Sequence, residues 1–525
     1  VTGLFSGTVD FDPGAGVTSR TSNGANDAFV ARYSAAGALV SVAHIGGAGA
    51  DSGLGVAVDG SGNAVVMGDY SGTVDFDPGA GVTSRTGSGG DDAFVARYSN
   101  AGALVSVATI GGAGPDSGLG VAVDGSGNAV VTGYFSGTVD FDPGAGVTSR
   151  TSTSGSEDVF VARYTVGGAL VSVLTIGGTG RDIGAEIAVD GSGDTVVAGR
   201  FPGTVDFDPG AGVTSRTSNG GIDAFVARYS AAGALVSVAT YGGTGNDSGL
   251  GVAVDGSGNA VVTGFFSDTA DFDPGAGTVS RTSNGGTDAL VARYSAAGAL
   301  VSVLTFGGTG TDSGTGMAVD GSGNAVVTGF FNDTVDFDPG AGVTVRTSEG
   351  NVDALVVRYS AAGALVSVAT FGGTSFATAV GIALDGSGNA VVTGSFNGTV
   401  DFDPGAGETS RTSNGGSMDV YVARYTVDGA LATGTSTSSQ EGPLPERTVH
   451  VEVRGQTLLF AVRETQVVRV EVFNVLGQRL SVLFDGEAAV GRTHSLDVPA
   501  GLGSSVYLVR VSGRSFAETA RVFVR

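Results

Sequence analysis

Apolar and polar residues alternate at every second position in short runs that recur along residues 1–434. One copy has such runs at residues 120–125, 128–135, 159–165 and 169–176, and valine, threonine and aromatic residues dominate all four. This composition and period are typical of half-buried β-strands. DGSGN separates the first two runs, and a glycine-bearing turn such as SAAG or TVGG separates the last two, as hairpins require. The pattern predicts four antiparallel strands per copy and no long helix.

The four-strand unit repeats at a fixed period. The text DFDPGAG begins at Asp10, Asp75, Asp140, Asp206, Asp271, Asp336 and Asp401, with 65 residues in every interval but one, which has 66. A β-helix would need much shorter coils, and a row of separate sandwiches would need longer units and linkers. Seven copies of a four-stranded unit therefore predict an all-β fold, a β-propeller of about seven four-stranded blades.

The first and last copies differ from the others. The GVAVDG-type run occurs six times and the FVARY-type run seven times, so the first copy lacks its opening strand. The last copy ends in a degraded run, GALATG, at residues 429–434. Three ways of closing the ring stay open: a strand upstream of Val1, mixing of the two termini, or a strand from another chain.

The period stops at residue 434. Residues 435–447, TSTSSQEGPLPER, read as a polar, proline-bearing linker. Residues 448–525 again show alternating runs, separated by turns such as NVLGQ and PAGLG, and predict a small, separate β-sandwich.

Composition narrows the possible partners. The chain has 26 basic and 51 acidic residues, a net charge of −25, and all of its basic residues are arginine. Such a surface argues against nucleic acid and anionic membranes as partners. The absence of cysteine excludes disulfides and thiolate metal sites, and no apolar run is long enough to span a membrane. Val1 is not an initiator methionine, so we expect a targeting segment to have been removed or to lie upstream.

The repeated texts resemble a bacterial β-propeller repeat family. AVDGSGNAVVTG at residues 122–133 matches its VD-x-x-GN-x-x-VTG hairpin, and DAFVARYSAAGALVSVATYGG at residues 223–243 matches its second hairpin. FSGTVDFDPGAG resembles the connector of a subgroup with DFDPG in surface and secreted bacterial proteins. The resemblance covers about 430 residues. It implies the propeller fold and an extracellular or cell-surface location, and it implies no particular ligand.

Residues 448–525 resemble the C-terminal sorting domain of the type IX secretion system. The matching texts are VEVFNVLGQRL at residues 470–480, LDVPAGLGSSVYLVRVSG at residues 496–513 and ARVFVR at residues 520–525. The family's Leu-Pro-Ala-Gly-x-Tyr segment is interrupted here by LGSS. The resemblance implies export across the outer membrane of a Bacteroidota-like bacterium, with residues 448–525 as the address for the secretion machinery.

The paired acids of DFDPG are the candidate metal ligands. Two carboxylates two residues apart on an extended segment point to the same side, and Ca²⁺ binds carboxylate and carbonyl oxygens. The candidate pairs are Asp10 and Asp12, Asp75 and Asp77, Asp140 and Asp142, Asp206 and Asp208, Asp271 and Asp273, Asp336 and Asp338, and Asp401 and Asp403. The competing interpretation, which the missing third acid favours, is a turn in which Asp bonds its own backbone, Pro presets φ and Gly accepts a positive φ.

Other repeated polar residues read as structural. The DGSGN loops are predicted to be hairpin turns, and the acids of the G-x-D text are predicted to lie in connector turns: Asp51, Asp116, Asp182, Asp247 and Asp312. Two series of recurring arginines, from Arg32 to Arg424 and from Arg20 to Arg411, are predicted to pair with these acids.

Catalysis finds no support in the sequence. His44, His450 and His494 are not repeated, and no nucleophile elbow, zinc-binding histidine pair or phosphate loop is present in a suitable context. We therefore expect a non-enzymatic protein, secreted or at the cell surface, that acts in extracellular structure, adhesion or binding.

Two functional hypotheses stay open. One is a module that binds a protein or carbohydrate ligand, which predicts that blade-to-blade differences concentrate at one mouth of the ring. The other is a self-assembling filament or surface-layer subunit, linked by strand exchange or C-terminal contacts. Near-identical blades suit the second hypothesis.

Overall fold

A computed structural model describes residues 1–405, 407–414, 418–432, 436–437, 449–454, 457–462, 466–473, 479–488, 494–497, 505–512 and 517–524. The chain divides into two compact units, residues 1–440 and 441–525. In the described part, β-strands provide the regular structure, apart from one 3₁₀ turn at Thr153–Gly155. No helix in these ranges is long and apolar enough to cross a membrane.

The first unit is a β-propeller of seven blades, each an antiparallel sheet whose strands follow the chain order from the ring axis outwards. In blade 3, Val121, Val131, Ala162 and Val173 lie side by side on the inner, second, third and outer strands. The hairpin turns that the sequence predicts join neighbouring strands. Glycine near the end of each turn adopts the positive φ that so tight a turn needs, as Gly127 does at 82°.

The strands of the blades have the following bounds. The inner strands are Ser52–Val58, Ser117–Val123, Ile183–Val189, Ser248–Val254, Ser313–Val319 and Phe376–Leu384. The second strands are Thr2–Phe5, Ala64–Tyr70, Ala129–Ser136, Thr195–Asp206, Ala260–Asp271, Ala325–Phe331 and Ala390–Asn397. The third strands are Asp27–Tyr33, Asp92–Tyr98, Glu157–Tyr164, Ser215–Tyr229, Ser280–Tyr294, Asp353–Tyr359 and Asp419–Tyr425. The outer strands are Leu39–Gly47, Leu104–Gly112, Leu170–Gly178, Leu235–Gly243, Leu300–Phe306, Leu365–Phe371 and Ser436–Thr437.

The DFDPG text lies in a connector between the second and third strands. In blades 4 and 5 the connector strands are continuous with those of the blade, and elsewhere they are separate: Thr8–Asp10 and Ser19–Thr21, Thr73–Asp75 and Ser84–Thr86, Thr138–Asp140 and Ser149–Thr151, Thr334–Asp336 and Val345–Thr347, and Thr399–Asp401 and Ser410–Thr412.

Each connector reaches back to the preceding blade. Asp75 and Val74 pair with Gly46 and Gly47 at the end of the outer strand of blade 1. A Cβ atom on Gly47 would lie 2.2 Å from the carbonyl oxygen of Thr73, so the connector requires glycine there. The pairing recurs at every step from blade 1 to blade 7, so backbone hydrogen bonds fasten these successive blades to one another.

The phenylalanine of DFDPG is buried in the seam between two blades. Phe76 is fully buried among residues of blade 1, such as Ile45, and of blade 2, such as Phe94. The rings of Phe76 and Phe94 are 5.2 Å apart, and the Tyr98 hydroxyl donates to the carbonyl of Phe76 at 3.0 Å. The equivalent phenylalanines are also buried: Phe11, Phe141, Phe207, Phe272, Phe337 and Phe402.

The ring closes between the last and first blades. Val420 of blade 7 packs against the apolar cluster of blade 1 that includes Phe5 and Phe29. Tyr421 pairs with Thr437, so the strand Ser436–Thr437 completes blade 7 as its outer strand. The described residues give blade 1 its second, third and outer strands and no inner one, so the three ways of closing the ring stay predictions.

In blades 2 to 6, the arginine of a buried ion pair at the DGSGN loop also bonds to the next blade. In blade 2, Arg97 contacts Asp59 of the same blade, and its other terminal nitrogen donates to the carbonyl of Gly127 in blade 3 at 2.8 Å. Both side chains are buried, with exposed fractions of 2% for Arg97 and 5% for Asp59. In the same way Arg163, Arg228, Arg293 and Arg358 bridge Asp124 to Gly193, Asp190 to Gly258, Asp255 to Gly323 and Asp320 to Gly388.

This network confirms the predicted pairing for one arginine series only. Arg20 donates to the backbone carbonyls of Ser19 and Val42, not to an acid. Its counterparts likewise donate to the carbonyl of the preceding residue: Arg85, Arg150, Arg216, Arg281 and Arg346. The predicted pairing with acids is therefore wrong for these six arginines, from Arg20 to Arg346, because their side chains extend along the connector, away from the acidic loops.

The second unit contains two antiparallel sheets among its described residues. One has the strands Val449–Arg454, Thr457–Val462 and His494–Asp497, and the other has Gln466–Phe473, Arg479–Ala488, Ser505–Ser512 and Ala517–Val524. Val468, Val470 and Val472 are buried at alternate positions, as a strand with one apolar face requires.

We expect the buried arginine to be critical for the stability of the ring. Arg97→Ala leaves the Asp59 carboxylate buried without its counter-charge, so the free energy of unfolding should fall by roughly 3–5 kcal/mol. The matched control is Glu157→Gln, which breaks the pair of Glu157 with the half-exposed Arg181 and should cost less than about 1 kcal/mol. Urea unfolding followed by circular dichroism measures the free energy of unfolding of both variants. Equal decreases in the two would contradict a special role for the buried pair of Arg97 and Asp59.

Candidate functional site

The paired acids of the connectors act on their own backbone. The Asp10 carboxylate accepts the N–H groups of Asp12 at 3.1 Å and Thr18 at 2.7 Å, and Asp12 accepts the N–H of Gly14 at 2.8 Å. The first acid makes the same pair of bonds at Asp75, Asp140, Asp206, Asp271, Asp336 and Asp401. The second acid repeats its single bond at Asp77, Asp142, Asp208, Asp273, Asp338 and Asp403.

The glycine of this turn has a different role from the predicted one. Gly14 is not among the glycines of positive φ. Gly16 instead leaves room for the carboxylate of Asp12: a Cβ atom there would lie 2.2 Å from one of its oxygens, so the aspartate side chain would have to move. In the described ranges, no group of three or more histidine, cysteine or acidic side chains lies close enough together to hold a metal ion.

We expect the connector acids to stabilise the fold without calcium. Asp10→Ala removes the acceptor of two backbone N–H groups, so it should lower the melting temperature, and Asp10→Asn should retain part of the effect through its amide oxygen. Differential scanning calorimetry should give equal melting temperatures with added Ca²⁺ and with chelator. A calcium-dependent increase that Asp10→Asn abolishes would support the cation site instead.

A second set of acids lies buried in pairs beside the Gly-Gly steps. Asp247 lies in the loop between the outer strand of blade 4 and the inner strand of blade 5. It accepts the N–H groups of Gly243 at 3.0 Å and Ser267 at 3.1 Å, which confirms its predicted place in a turn that connects two blades. A Cβ atom on Gly242 would lie 2.6 Å from one oxygen of Asp223 and 2.8 Å from one of Asp247, so the two carboxylates face the same point. The other pairs are Asp27 and Asp51, Asp92 and Asp116, Asp158 and Asp182, and Asp288 and Asp312.

Burial makes these carboxylates hard to ionise. It raises the pKa of Asp247 to about 7, with a smaller contribution from the charge of Asp223, and it raises the pKa of Asp223 to about 6. In blade 1, His44 replaces the threonine of the other blades and contacts Asp27.

The raised pKa values predict that the propeller loses stability as the pH rises. An acid with a raised pKa in the folded state holds its proton more tightly there than in the unfolded chain. Its contribution to the free energy of unfolding is therefore complete below about pH 4 and is lost as the pH rises to about 7. The melting temperature should therefore fall between about pH 5 and about pH 7.5.

Asp223→Asn should raise the melting temperature at about pH 7.5 and weaken its dependence on pH, because it removes one of two facing charges. The matched control is Asp194→Asn, which removes one charge and introduces the residue of the other DGSGN loops. Differential scanning calorimetry of the unaltered protein and both variants, between about pH 5 and about pH 7.5, tests this prediction. A melting temperature of the unaltered protein that rises with pH would contradict it.

One position near the end of the second strand holds six different residue types in the seven copies. It follows an invariant glycine and precedes an invariant aromatic residue, as Arg200 follows Gly199 and precedes Phe201. Its occupants form what we call the variable ring: Leu4, Asp69, Tyr134, Arg200, Phe265, Phe330 and Ser395. Leu4 is 45% exposed, and the other six side chains are half-buried.

The variable ring lies at one mouth of the propeller. Arg200 pairs with Ile183 at the start of an inner strand, so it lies at the end of the blade where connectors and interblade loops emerge. We call this end the upper mouth. The lower mouth carries the six DGSGN-type hairpins, which differ only at Asp194, and the turns between third and outer strands, of which four read SAAG and the others SNAG, TVGG and TVDG.

Two further positions at the upper mouth also vary. The backbone N–H of Asp51 donates to the carbonyl of Asn26 at 2.8 Å, which holds the interblade loop against the end of the connector. The residues at the connector position are Asn26, Asp91, Glu157, Ile222, Thr287, Val352 and Met418. Those in the interblade loop are Ala50, Pro115, Arg181, Asn246, Thr311 and Phe376. The variation at these positions is visible when the seven copies are aligned, whereas a search for functional motifs does not detect it.

The upper mouth is chemically asymmetric. In blade 2, burial and the charge of Asp91 raise the pKa of Asp69 to about 6. In blade 3, the Arg181 guanidinium lies 5.1 Å from the centre of the Tyr134 ring. Blade 4 adds Arg200, and blades 5 and 6 add phenylalanines. The mouth therefore has an acidic, a basic and an aromatic sector.

A cavity of about 430 Å³ lies elsewhere, between blades 1, 2 and 7. Its lining includes Val56 and Val58 of the first complete inner strand and Arg424 of blade 7. It occupies the position that an inner strand fills in the other blades, so it belongs to the architecture of the ring.

Comparison with known proteins gives limited information. No protein-family model matches the chain. A curated relative, described as an uncharacterized WD repeat-containing protein of Acanthamoeba polyphaga mimivirus, is 23% identical over 491 residues, which cover 80% of this chain and 35% of the relative. The chain thus spans about a third of that relative. WD repeats build propeller blades, in agreement with the fold.

A solved structure of PorZ is also similar. Its title describes an essential bacterial surface component of the type-IX secretion system of Porphyromonas gingivalis. It is 11% identical, the match covers 93% of this chain and 83% of that chain, and the TM-score is 0.17. A TM-score this low supports no inference about this chain.

Proposed function

We propose that this chain is a non-enzymatic binding propeller, secreted or displayed at the cell surface, whose upper mouth contacts the ligand. The observation that carries the proposal is the contrast between the two mouths. Residues of the variable ring differ in charge, size and polarity, whereas the DGSGN hairpins of the lower mouth are identical in five of their six copies. A polymer built from equivalent blades needs no such contrast.

The composition of the ring supports ligand contact. Tyr134, Phe265 and Phe330 are half-buried aromatic side chains that no core position requires, since Ser395 occupies the same place in blade 7. Aromatic faces beside a few charged groups are typical of ligand sites. The resemblance of residues 448–525 to a sorting domain supports an extracellular location.

The proposal predicts that binding depends on the upper mouth only. Tyr134→Ser, Phe265→Ser and Phe330→Ser, combined in one protein, each introduce the residue of blade 7, so the fold should persist. The labelled variant should lose at least about ten-fold in binding to a panel of extracellular polysaccharides on a glycan array, because three contact surfaces are removed.

The matched control changes the lower mouth. Val166→Ala and Val427→Ala alter turn residues that are 40% and 41% exposed and introduce the alanine of the SAAG turns. This variant should bind like the unaltered protein. Equal binding by both variants would contradict the upper mouth as the binding face.

Self-assembly into filaments or layers remains a prediction from the sequence. Among the described residues, the second strand Thr2–Phe5 pairs with the third strand of blade 1 on one side only, so a strand added at its other edge would complete the blade. Light scattering on the purified protein measures assembly, and a mass independent of concentration would exclude it.

A further inference from the structure

We propose that Arg200 and Arg181, beside Tyr134, form a subsite of the upper mouth for the carboxylate or sulfate group of an acidic sugar. This inference rests on the proposed binding function and specifies the chemistry of its ligand.

Arg200 is the exception among the arginines of the propeller. Within residues 1–432, as far as the structure describes them, every other arginine donates to a carbonyl or pairs with an acid, whereas Arg200 has no such partner. Its side chain is half-buried in the variable ring. A half-buried guanidinium without a protein partner keeps its N–H groups available to water or to an anion that arrives from outside.

Arg181 lies two residues before Ile183, the strand partner of Arg200, and two contacts hold it in position. Its Nε pairs with a carboxylate oxygen of Glu157 at 2.9 Å, and its guanidinium carbon lies 5.1 Å from the centre of the Tyr134 ring. Both contacts fix the plane of the guanidinium. Its two terminal nitrogens have no partner among the described residues, so they remain free to donate to a ligand.

The two positive charges oppose each other. Burial lowers the pKa of Arg200, and the nearby charge of Arg181 lowers it further. Two guanidinium groups at close range repel each other unless an anion lies between them. A carboxylate or sulfate group satisfies both, because its oxygens accept the parallel N–H groups of a guanidinium fork.

The charge of the whole chain limits the ligand. With a net charge of −25, the protein repels polyanions. At physiological ionic strength, salt screens this repulsion beyond about 8 Å, but negative charges closer to the surface are still repelled. An isolated oxyanionic group therefore suits the subsite better than a nucleic acid or a densely charged glycan. The aromatic side chains of the ring offer apolar faces to the sugar itself.

Saturation-transfer NMR on the full chain tests the subsite. The probes are sodium glucuronate and glucose 6-sulfate, with glucose as the neutral control. We expect transfer to at least one anionic sugar, a weaker response with glucose, and loss of binding at high sodium chloride concentration.

Variants then locate the binding. Arg200→Phe introduces the residue of blades 5 and 6, so it should fold, and it should weaken anionic-sugar binding at least about ten-fold, as should Arg181→Gln. Arg200→Lys keeps the charge and removes the fork, so it should restore only part of the binding. The matched control, Arg216→Gln, removes one positive charge from a connector and should have no effect.

Two results would overturn the subsite: equal responses with glucose and both anionic sugars, or unchanged anion binding in Arg200→Phe. Failure of the proposed function has a separate signature, which is unchanged array binding by the triple serine variant. The arginine variants leave Tyr134, Phe265 and Phe330 in place, so failure of the subsite is distinguished from failure of the binding face.

Discussion

The insertion of one phenylalanine between each pair of blades is the interaction on which the propeller depends. Flat sheets arranged around an axis diverge towards the outside of the ring, and the gap must be filled with apolar atoms because protein interiors tolerate few voids. Phe76 and its counterparts fill this gap, and the connector that carries Phe76 pairs with Gly46 and Gly47 of the preceding blade. Packing and backbone pairing thus act at the same seam.

The remaining repeated residues hold this connector and close the opposite end of the seam. The carboxylate of Asp10 organises the turn behind the phenylalanine through two backbone N–H groups. At the lower mouth, Arg97 joins Asp59 to the next blade through a carbonyl. Because both ends of a blade are fixed by residues that every complete copy shares, the positions between the connector and the axis are free to change without loss of the fold.

That separation of scaffold from surface explains how nearly identical blades support an asymmetric mouth. The seven positions of the variable ring share one backbone environment, yet they hold an acid in blade 2, an arginine in blade 4 and phenylalanines in blades 5 and 6. The unpartnered Arg200 lies beside Arg181, whose orientation is set by Glu157 and Tyr134. Differences at a single register position therefore determine the chemistry that the propeller offers to a ligand.

Local rules sufficed for the strands, the hairpins, the number of blades and the connector turns, because alternation, glycine turns and Asp bonds to neighbouring N–H groups involve residues close together in the chain. Only the tertiary structure decided what the long-range residues do. Arg97 finds Asp59, 38 residues away, through the sheet register, whereas Arg20, of the same type and equally repeated, bonds the carbonyl beside it. The variation at the seven positions of the variable ring can be read from the sequence. Their common location cannot, because only closure of the propeller brings them together at one mouth.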